Sequence, residues 1–363
     1  MRQIFQYTCY GIGLISFVLL SACTITITPG WHSKSEHLTS TAPMLRKVLP
    51  AVVNVFSEGD QVSCSSFLSS NPSLKKKFEL DKNPYESCLS QSQGSGVIID
   101  AKNGYIVTNY HNIQGAAKTV ITLHDRREIV AKVVGFDSLT DIAVLKIQAD
   151  RLSELLLSHA DKQLETGDFL VTIGSPFGLD HSVTLGIVSA LGRSGLGLEG
   201  YEDFIQTDAS INVGNSGGAV VAMNGKLVGI STAIVGANNS NTGIGFAISG
   251  SMVKAVVDQL IQYGEVKRGL IGILVEDIMV DDKLRALVSD VIPDSPADKA
   301  GLRKNDIILR YNKHFIKGAA KLRNALGLTR VGEATVLEVL RREATQQLTL
   351  NMTINIAESS AAY

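Results

Sequence analysis

Apolar residues fall in short runs along most of this chain, with glycine and asparagine between the runs. Val97-Ile98-Ile99-Asp100 and Tyr105-Ile106-Val107-Thr108 flank a turn containing Asn103-Gly104, which predicts a hairpin. Leu170-Val171-Thr172-Ile173, Leu185-Gly186-Ile187-Val188-Ser189 and Leu227-Val228-Gly229-Ile230 read the same way, the last after an Asn224-Gly225 turn signal. Many short strands from about residue 44 to 250 predict barrels or sandwiches. The period then changes. Met252, Ala255, Val256, Gln259, Leu260 and Tyr263 recur at helical spacing, and Gly264 supplies a stop. That helix, over 251–263, closes a first domain and leads into a second, smaller module.

The N-terminus does not share this pattern. After Arg2 no Asp, Glu, Lys or Arg occurs until Lys34, and Ile12 to Ala22 is a compact apolar run. The run is short for a membrane span and suits a signal-peptide core. It ends Leu20-Ser21-Ala22-Cys23, which resembles a bacterial lipobox, whose cysteine is lipidated and becomes the mature N-terminus. An uncleaved anchor stays open, because Thr24 to Thr28 could lengthen the span; an ordinary cleaved signal is the third reading. All three export the rest of the chain and attach or release it at residues 1–28, with 29–43 as a tether.

Composition narrows the partners. With 363 residues, 45% of them hydrophobic, the chain can bury more than one core. A net charge of −1 gives no basic face for nucleic acid, and aromatics at 6% leave no platform for stacking bases. Lys75-Lys76-Lys77 reads as a solvated loop face. Cys64 and Cys88 lie in a polar stretch, and in an oxidising compartment the pair most simply forms a disulfide. Closing that loop contributes very roughly 3 kcal/mol in the chain-entropy model. No Cys-x-x-Cys and no nearby histidine cluster points to a metal.

The chemistry concentrates at Gly214-Asn215-Ser216-Gly217-Gly218. A serine between glycines sits on a sharp turn with nothing between its oxygen and a substrate carbonyl. The amides of Gly214 and Ser216, with Asn215 as a further donor, can converge as an oxyanion hole. His111 ends a predicted strand at Thr108-Asn109-Tyr110-His111, and Asp141 opens another at Thr140-Asp141-Ile142-Ala143-Val144-Leu145. The order His, Asp, Ser is that of the chymotrypsin-like double barrel. It assigns His111 and Asp141 to a first barrel and Ser216 to a second.

Thr108 to His111, Thr140 to Lys146 and Gln206 to Gly218 resemble the Deg/HtrA family of serine proteases, and the likeness runs from roughly 44 to 355. The family often has Asn at 110, Val at 112, and Pro or a polar residue at 213. This chain has Tyr110, Asn112 and Val213, none of which is expected to touch a triad atom. The resemblance implies a mainly β fold, with a chymotrypsin-like double β-barrel at 44–264, one α+β PDZ domain at 265–356 and a tail at 357–363. It implies Ser216 as nucleophile, His111 as base and Asp141 as its orienting acid, with no metal or organic cofactor.

Further roles follow from the same resemblance. Gly229, Ile230, Ser231, Thr232 and Ala233 would pair a substrate strand and line a pocket suited to small apolar residues. Arg193, in Gly192-Arg193-Ser194-Gly195-Leu196-Gly197, would relay peptide occupancy to the oxyanion hole. Leu270, Ile271, Gly272 and Ile273 would hold a peptide C-terminus, with Leu322, Ala325 and Leu326 beside the groove. Asp294 to Leu302 matches the family's short helix, and Asn305 to Ile308 its following strand. The stretch with Cys64 and Cys88 corresponds to an insertion that carries a disulfide in some members. The expected protein is a membrane-tethered periplasmic endopeptidase for misfolded or unassembled envelope proteins, built as a homotrimer or larger assembly. A sensor protease cutting one signalling protein, or a chaperone-like binding module, are the other readings.

Overall fold

In the computed structural model the described residues are 40–63, 87–175, 181–212, 214–234, 243–342 and 347–358. Cys23 and Cys64 lie outside them, and only the strand backbone is described at Cys88. The lipidation and disulfide expectations therefore meet no described side chain.

A short helix α1 (Ala42–Val48) begins inside the expected tether, with Pro43 in its first turn. Six strands follow: β1 (Val52–Ser63), β2 (Ser87–Asp100), β3 (Tyr105–Asn109), β4 (Ala116–Thr122), β5 (Glu128–Asp137) and β6 (Ile142–Lys146). They close into a barrel in the order β1-β2-β3-β6-β5-β4. The predicted hairpin forms as its turn chemistry requires: Gly104 N donates to Asp100 O at 2.9 Å, and Asn103 N to the Asp100 carboxylate at 2.9 Å.

The second barrel contains β7 (Phe169–Gly174), β8 (Ser182–Arg193), β9 (Phe204–Thr207), β10 (Ala219–Ala222), β11 (Leu227–Ile234) and β12 (Gly245–Ser249), ordered β10-β11-β12-β9-β8-β7. Strand alternation sends Val53, Ile106 and Leu145 into the first interior and Leu170, Val188 and Val220 into the second. Val52, Val97, Val144, Val171, Ile173 and Ile230 form a further cluster spanning both barrels. Each fully buried side chain of this kind contributes roughly 1.5–3 kcal/mol. The two halves of the cleft are thus held by one shared core.

Helix α2 (Gly250–Tyr263) packs on that cluster through Met252, Val253, Val256, Val257 and Leu260. Ser249 caps its start by accepting from Met252 N, and Gly264 ends it in the left-handed region, donating to Leu260 O. The smaller module has a short pair, β13 (Gly269–Leu270) with β20 (Ala357–Glu358). The expected tail therefore begins with a strand, because residue 357 pairs back onto Leu270. Its main sheet runs β14 (Ile273–Val280), β15 (Lys283–Val291), β16 (Ile307–Tyr311), β18 (Ala334–Arg342), β19 (Gln347–Asn355), with β17 (His314–Phe315) attached to β16. Helices α3 (Pro296–Lys299) and α4 (Ala319–Gly327) complete it. Leu322 and Leu326 face inward with Ile271 and Leu337, so they belong to the core and not to an open groove.

Candidate active site

Strand β3 delivers His111 on a single 3-10 turn, Tyr110–Asn112. The turn is fastened to Asp141 four times. Asn109 Nδ2 and Tyr110 N donate to the Asp141 carbonyl at 2.9 and 3.1 Å, and His111 N donates to Asp141 Oδ1 at 2.9 Å. His111 Nδ1 faces Asp141 Oδ2 at 2.7 Å. A carboxylate only accepts, so Nδ1 carries the proton and Nε2 is left as the acceptor. The side chain of Asp141 is 5% exposed and that of His111 45%, so the acid is shut in while the imidazole opens to the cleft. Asp141 adopts φ 55°, a left-handed conformation that costs a non-glycine residue on the order of 1 kcal/mol. Thr140 Oγ1 braces the turn on Asp137 at 2.5 Å, and Arg268 from the second module reaches the same Asp137 oxygen at 2.6 Å.

Ser216 lies on a loop stitched to β11 and to the first barrel. Gly217 N donates to Ser231 O at 2.8 Å, Ser231 N to Gly218 O at 3.0 Å, and Ser231 Oγ to Asn215 O at 2.6 Å. Across the barrel boundary, Ser95 N and Asn112 Nδ2 both donate to the Ser216 carbonyl, at 2.8 and 3.0 Å. Ser95 Oγ donates to Gly214 O at 2.6 Å and accepts from Ser175 N at 2.7 Å. Thr108 Oγ1 donates to Ser95 O at 2.7 Å. Ser95, Thr108, Asn112 and Ser231 are buried, and their side chains have the partners that a polar group out of water requires. The Ser216 hydroxyl itself donates to Thr232 O at 3.1 Å and not to His111. Thr232 Oγ1 donates to Asp141 Oδ2 at 2.9 Å.

Three expectations change here. The amide of Asn215 donates to Asn212 O at 3.0 Å, so it is engaged and not free for an oxyanion. The amides of Gly214 and Ser216 meet no protein acceptor among the described residues. Gly229, Ile230 and Ser231 are buried in the barrel wall, with Ile230 in the shared core, so they do not face a substrate. Among the described side chains of β11, Thr232 meets the site, its carbonyl accepting from Ser216 Oγ and its hydroxyl donating to Asp141; at Ala233 only the backbone is described. Asn112, expected to touch no triad atom, hydrogen-bonds the Ser216 carbonyl. Tyr110 stacks on Phe136 of β5, with ring centroids 4.6 Å apart.

Arg193 ends β8 with its Nε donating to Gln206 at 3.0 Å. Besides the Arg268–Asp137 contact, the junction between the two modules runs through α4. Asn324 Oδ1 accepts from Glu202 N at 3.2 Å while its Nδ2 donates to Glu202 O, and Lys321 Nζ lies 2.6 Å from Asp203. The Glu202 carboxylate accepts from the amides of Leu196, Leu198 and Glu199, at 2.6, 2.7 and 3.1 Å, which gathers the loop. In that loop, burial first and then the Asp141 charge push the Glu199 carboxyl up to about 7, against the opposing influence of His111. In the second module the turn after β13 leaves the amides of Ile271 and Gly272 without a protein acceptor among the described residues, beside the edge strand β14.

The fold and the site together are those of a trypsin-like serine peptidase carrying a PDZ module. Residues 94–230 match the trypsin-like peptidase domain and 269–352 the PDZ domain. The sequence is 44% identical over 344 residues to the periplasmic pH-dependent serine endoprotease DegQ of Escherichia coli (strain K12), covering 92% of this chain and 74% of that protein. To the periplasmic serine endoprotease DegP of the same strain it is 42% identical over 342 residues, 85% of this chain and 71% of that one. The structure of the HtrA-type protease AlgW with tripeptide superposes with a TM-score of 0.68 at 35% identity, covering 88% of this chain and 97% of that one. The chain belongs to the Deg/HtrA family and is a serine endopeptidase.

Proposed function

We propose that Ser216 is the nucleophile, His111 its general base and Asp141 the acid that orients His111. This reading rests on one observation above others: His111 Nδ1 meets the buried Asp141 carboxylate at 2.7 Å, leaving Nε2 toward the cleft that holds Ser216. When substrate binds, the Ser216 hydroxyl exchanges its bond to Thr232 O for one to His111 Nε2. His111 takes the proton as Oγ attacks the peptide carbonyl, and the imidazolium returns it to the leaving amine. The amides of Gly214 and Ser216 receive the oxyanion; one such donor is worth roughly 3–4 kcal/mol. Water then hydrolyses the acyl-enzyme by the same route. Small apolar residues before the cut suit a cleft whose β11 wall carries no acidic side chain.

The amides at Ile271 and Gly272, beside β14 and without a protein acceptor among the described residues, are suited to a peptide carboxylate, with the peptide adding a strand at that edge. Exposed C-termini of unfolded or unassembled envelope proteins are the ligands that chemistry fits. The periplasmic names of the relatives and the apolar leader support a periplasmic site of action, with tethering through Cys23 or an uncleaved leader; a homotrimer or larger assembly is carried by the family resemblance alone. The decisive experiment compares purified wild type with Ser216→Ala on unfolded casein, alongside fluorophosphonate labelling. Wild type should cleave and label on Ser216, and the variant should do neither; the comparable change in subtilisin costs about a million-fold in kcat. Cleavage by a purified Ser216→Ala sample overturns the assignment.

A further inference from the structure

Asn112 directly follows His111, and its side chain is buried, with 2% of the residue exposed. Its amide nitrogen is shared between Thr108 Oγ1 at 3.1 Å and the Ser216 carbonyl at 3.0 Å. Two glycines make room for it. A Cβ on Gly94 would overlap the Asn112 amide group itself, and one on Gly217 would press on its nitrogen and run into the Ser95 carbonyl. Gly217 also holds φ 85°, which other side chains adopt only under strain. The sequence has thus cleared a cavity for an amide on both sides.

A side chain needed only for bulk would not have to be polar there. A buried amide costs free energy unless its hydrogens are used, and both are. The Ser216 carbonyl has two lone pairs. Ser95 N occupies one at 2.8 Å and Asn112 the other. With both taken, the Ser216–Gly217 peptide cannot tilt without breaking a buried hydrogen bond. That peptide sets the direction in which the Ser216 side chain leaves the main chain. The same residue carries His111 as its neighbour in the 3-10 turn, so one side chain couples the base's turn in the first barrel to the nucleophile's backbone in the second.

We propose that Asn112 is a positioning residue for acyl transfer, fixing the Ser216–Gly217 peptide and through it the aim of Ser216 Oγ at His111. The proposal rests on Ser216 being the nucleophile. It requires that loss of the amide donors lower the chemical step while substrate affinity stays, because Asn112 is walled off from the cleft. It also requires the defect to follow the donor and not the shape.

Two variants of the full chain separate these. Asn112→Val keeps the bulk without donors; Asn112→Asp keeps the outline and can donate only when protonated. Steady-state cleavage of a chromogenic peptide gives kcat and KM, fluorophosphonate labelling gives the rate at the serine, and mass spectrometry identifies the labelled residue. Asn112→Val should lower kcat and the labelling rate about tenfold, the value of one hydrogen bond, with KM within about twofold. Asn112→Asp should be impaired at pH 8, and its activity relative to wild type should rise as the pH is lowered toward 5.5 and the donor is restored. If Asn112→Val does not fold, that ratio decides alone. Wild-type kcat in Asn112→Val, a change confined to KM, or an Asp-to-wild-type ratio flat with pH overturns the proposal. A label on a residue other than Ser216 overturns instead the assignment beneath it.

Discussion

Thr232 Oγ1 donates to Asp141 Oδ2 at 2.9 Å, the same oxygen that faces His111 Nδ1 at 2.7 Å. Asp141 precedes β6 of the first barrel and Thr232 belongs to β11 of the second, so this bond closes the cleft across the boundary. The carbonyl of Thr232 meanwhile accepts the Ser216 hydroxyl at 3.1 Å. One residue therefore holds Asp141 with its side chain and Ser216 with its backbone. Its β-branch limits χ1 and keeps the hydroxyl on Asp141.

Thr232→Val preserves shape and removes the donor. Asp141 then loses one of the three donors that hold its carboxylate, and the imidazole is oriented less firmly. We expect kcat to fall about tenfold, from a hydrogen bond to a charged group worth roughly 1.5 kcal/mol, with Thr232→Ser close to wild type. Equal kcat in the valine variant and wild type removes the hydroxyl from the mechanism.

Glu199 makes a pH prediction whose sign is fixed. Its carboxyl is pushed up to about 7 from an ordinary value of 4.5, by burial and then by the Asp141 charge. Between those pH values the folded state binds the proton and the unfolded chain does not, so stability from this group declines as pH rises from 4.5 to 7. Glu199→Gln should therefore raise the melting temperature relative to wild type at pH 8, and the gain should vanish at pH 4.5. A gain of the same size at both pH values contradicts the assignment.

The legible features were those with a local signal. The strands announce themselves by short β runs and turn glycines, the 251–263 helix by its period and its glycine stop, and His111, Asp141 and Ser216 by residue type, chain order and glycine frame. Ser95 and Asn112 were not legible as partners of Ser216, because barrel contact brings them together from far along the chain, and spacing carries no trace of it. Which residues of β11 face the site is not legible in the sequence, for a different reason. Gly229 to Ser231 and Thr232 to Ile234 carry equally apolar and small side chains, and only the packed barrel shows which of them enter the wall. Leu322 and Leu326 repeat the lesson: helical spacing marks a buried face without saying whether a core or a ligand covers it.

Asn324 offers a test of how the two modules communicate. It pairs with both backbone groups of Glu202, whose carboxylate gathers the loop containing Glu199, while Arg193 Nε donates to Gln206. Asn324→Ala should leave the affinity for a PDZ peptide within about twofold, since its side chain is engaged with the backbone of Glu202. It should reduce peptide-stimulated cleavage more than Arg193→Ala does. Calorimetry and peptide cleavage, measured separately on each variant, read the two effects. Full stimulation in Asn324→Ala would leave the α4 contact as a structural rivet only.

The last prediction concerns the peptide's end. The amides of Ile271 and Gly272 face no protein acceptor among the described residues, although Ile271 is buried, while the carbonyls of the same two residues are taken by Ala297 N and Ile292 N at 2.8 and 2.9 Å. The turn thus presents donors alone, a polarity that favours an anion. A peptide with a free, apolar C-terminus should bind there and add a strand to β14, and its amidated form should bind at least tenfold more weakly, because a charged acceptor is replaced by a neutral one. The difference should shrink as pH is lowered below the range in which the peptide's own carboxyl ionises, near 3.5. It should persist in Ser216→Ala, which separates recognition from cleavage. Calorimetric titration of both peptides into that variant decides the matter, and equal affinities would exclude carboxylate capture at this turn.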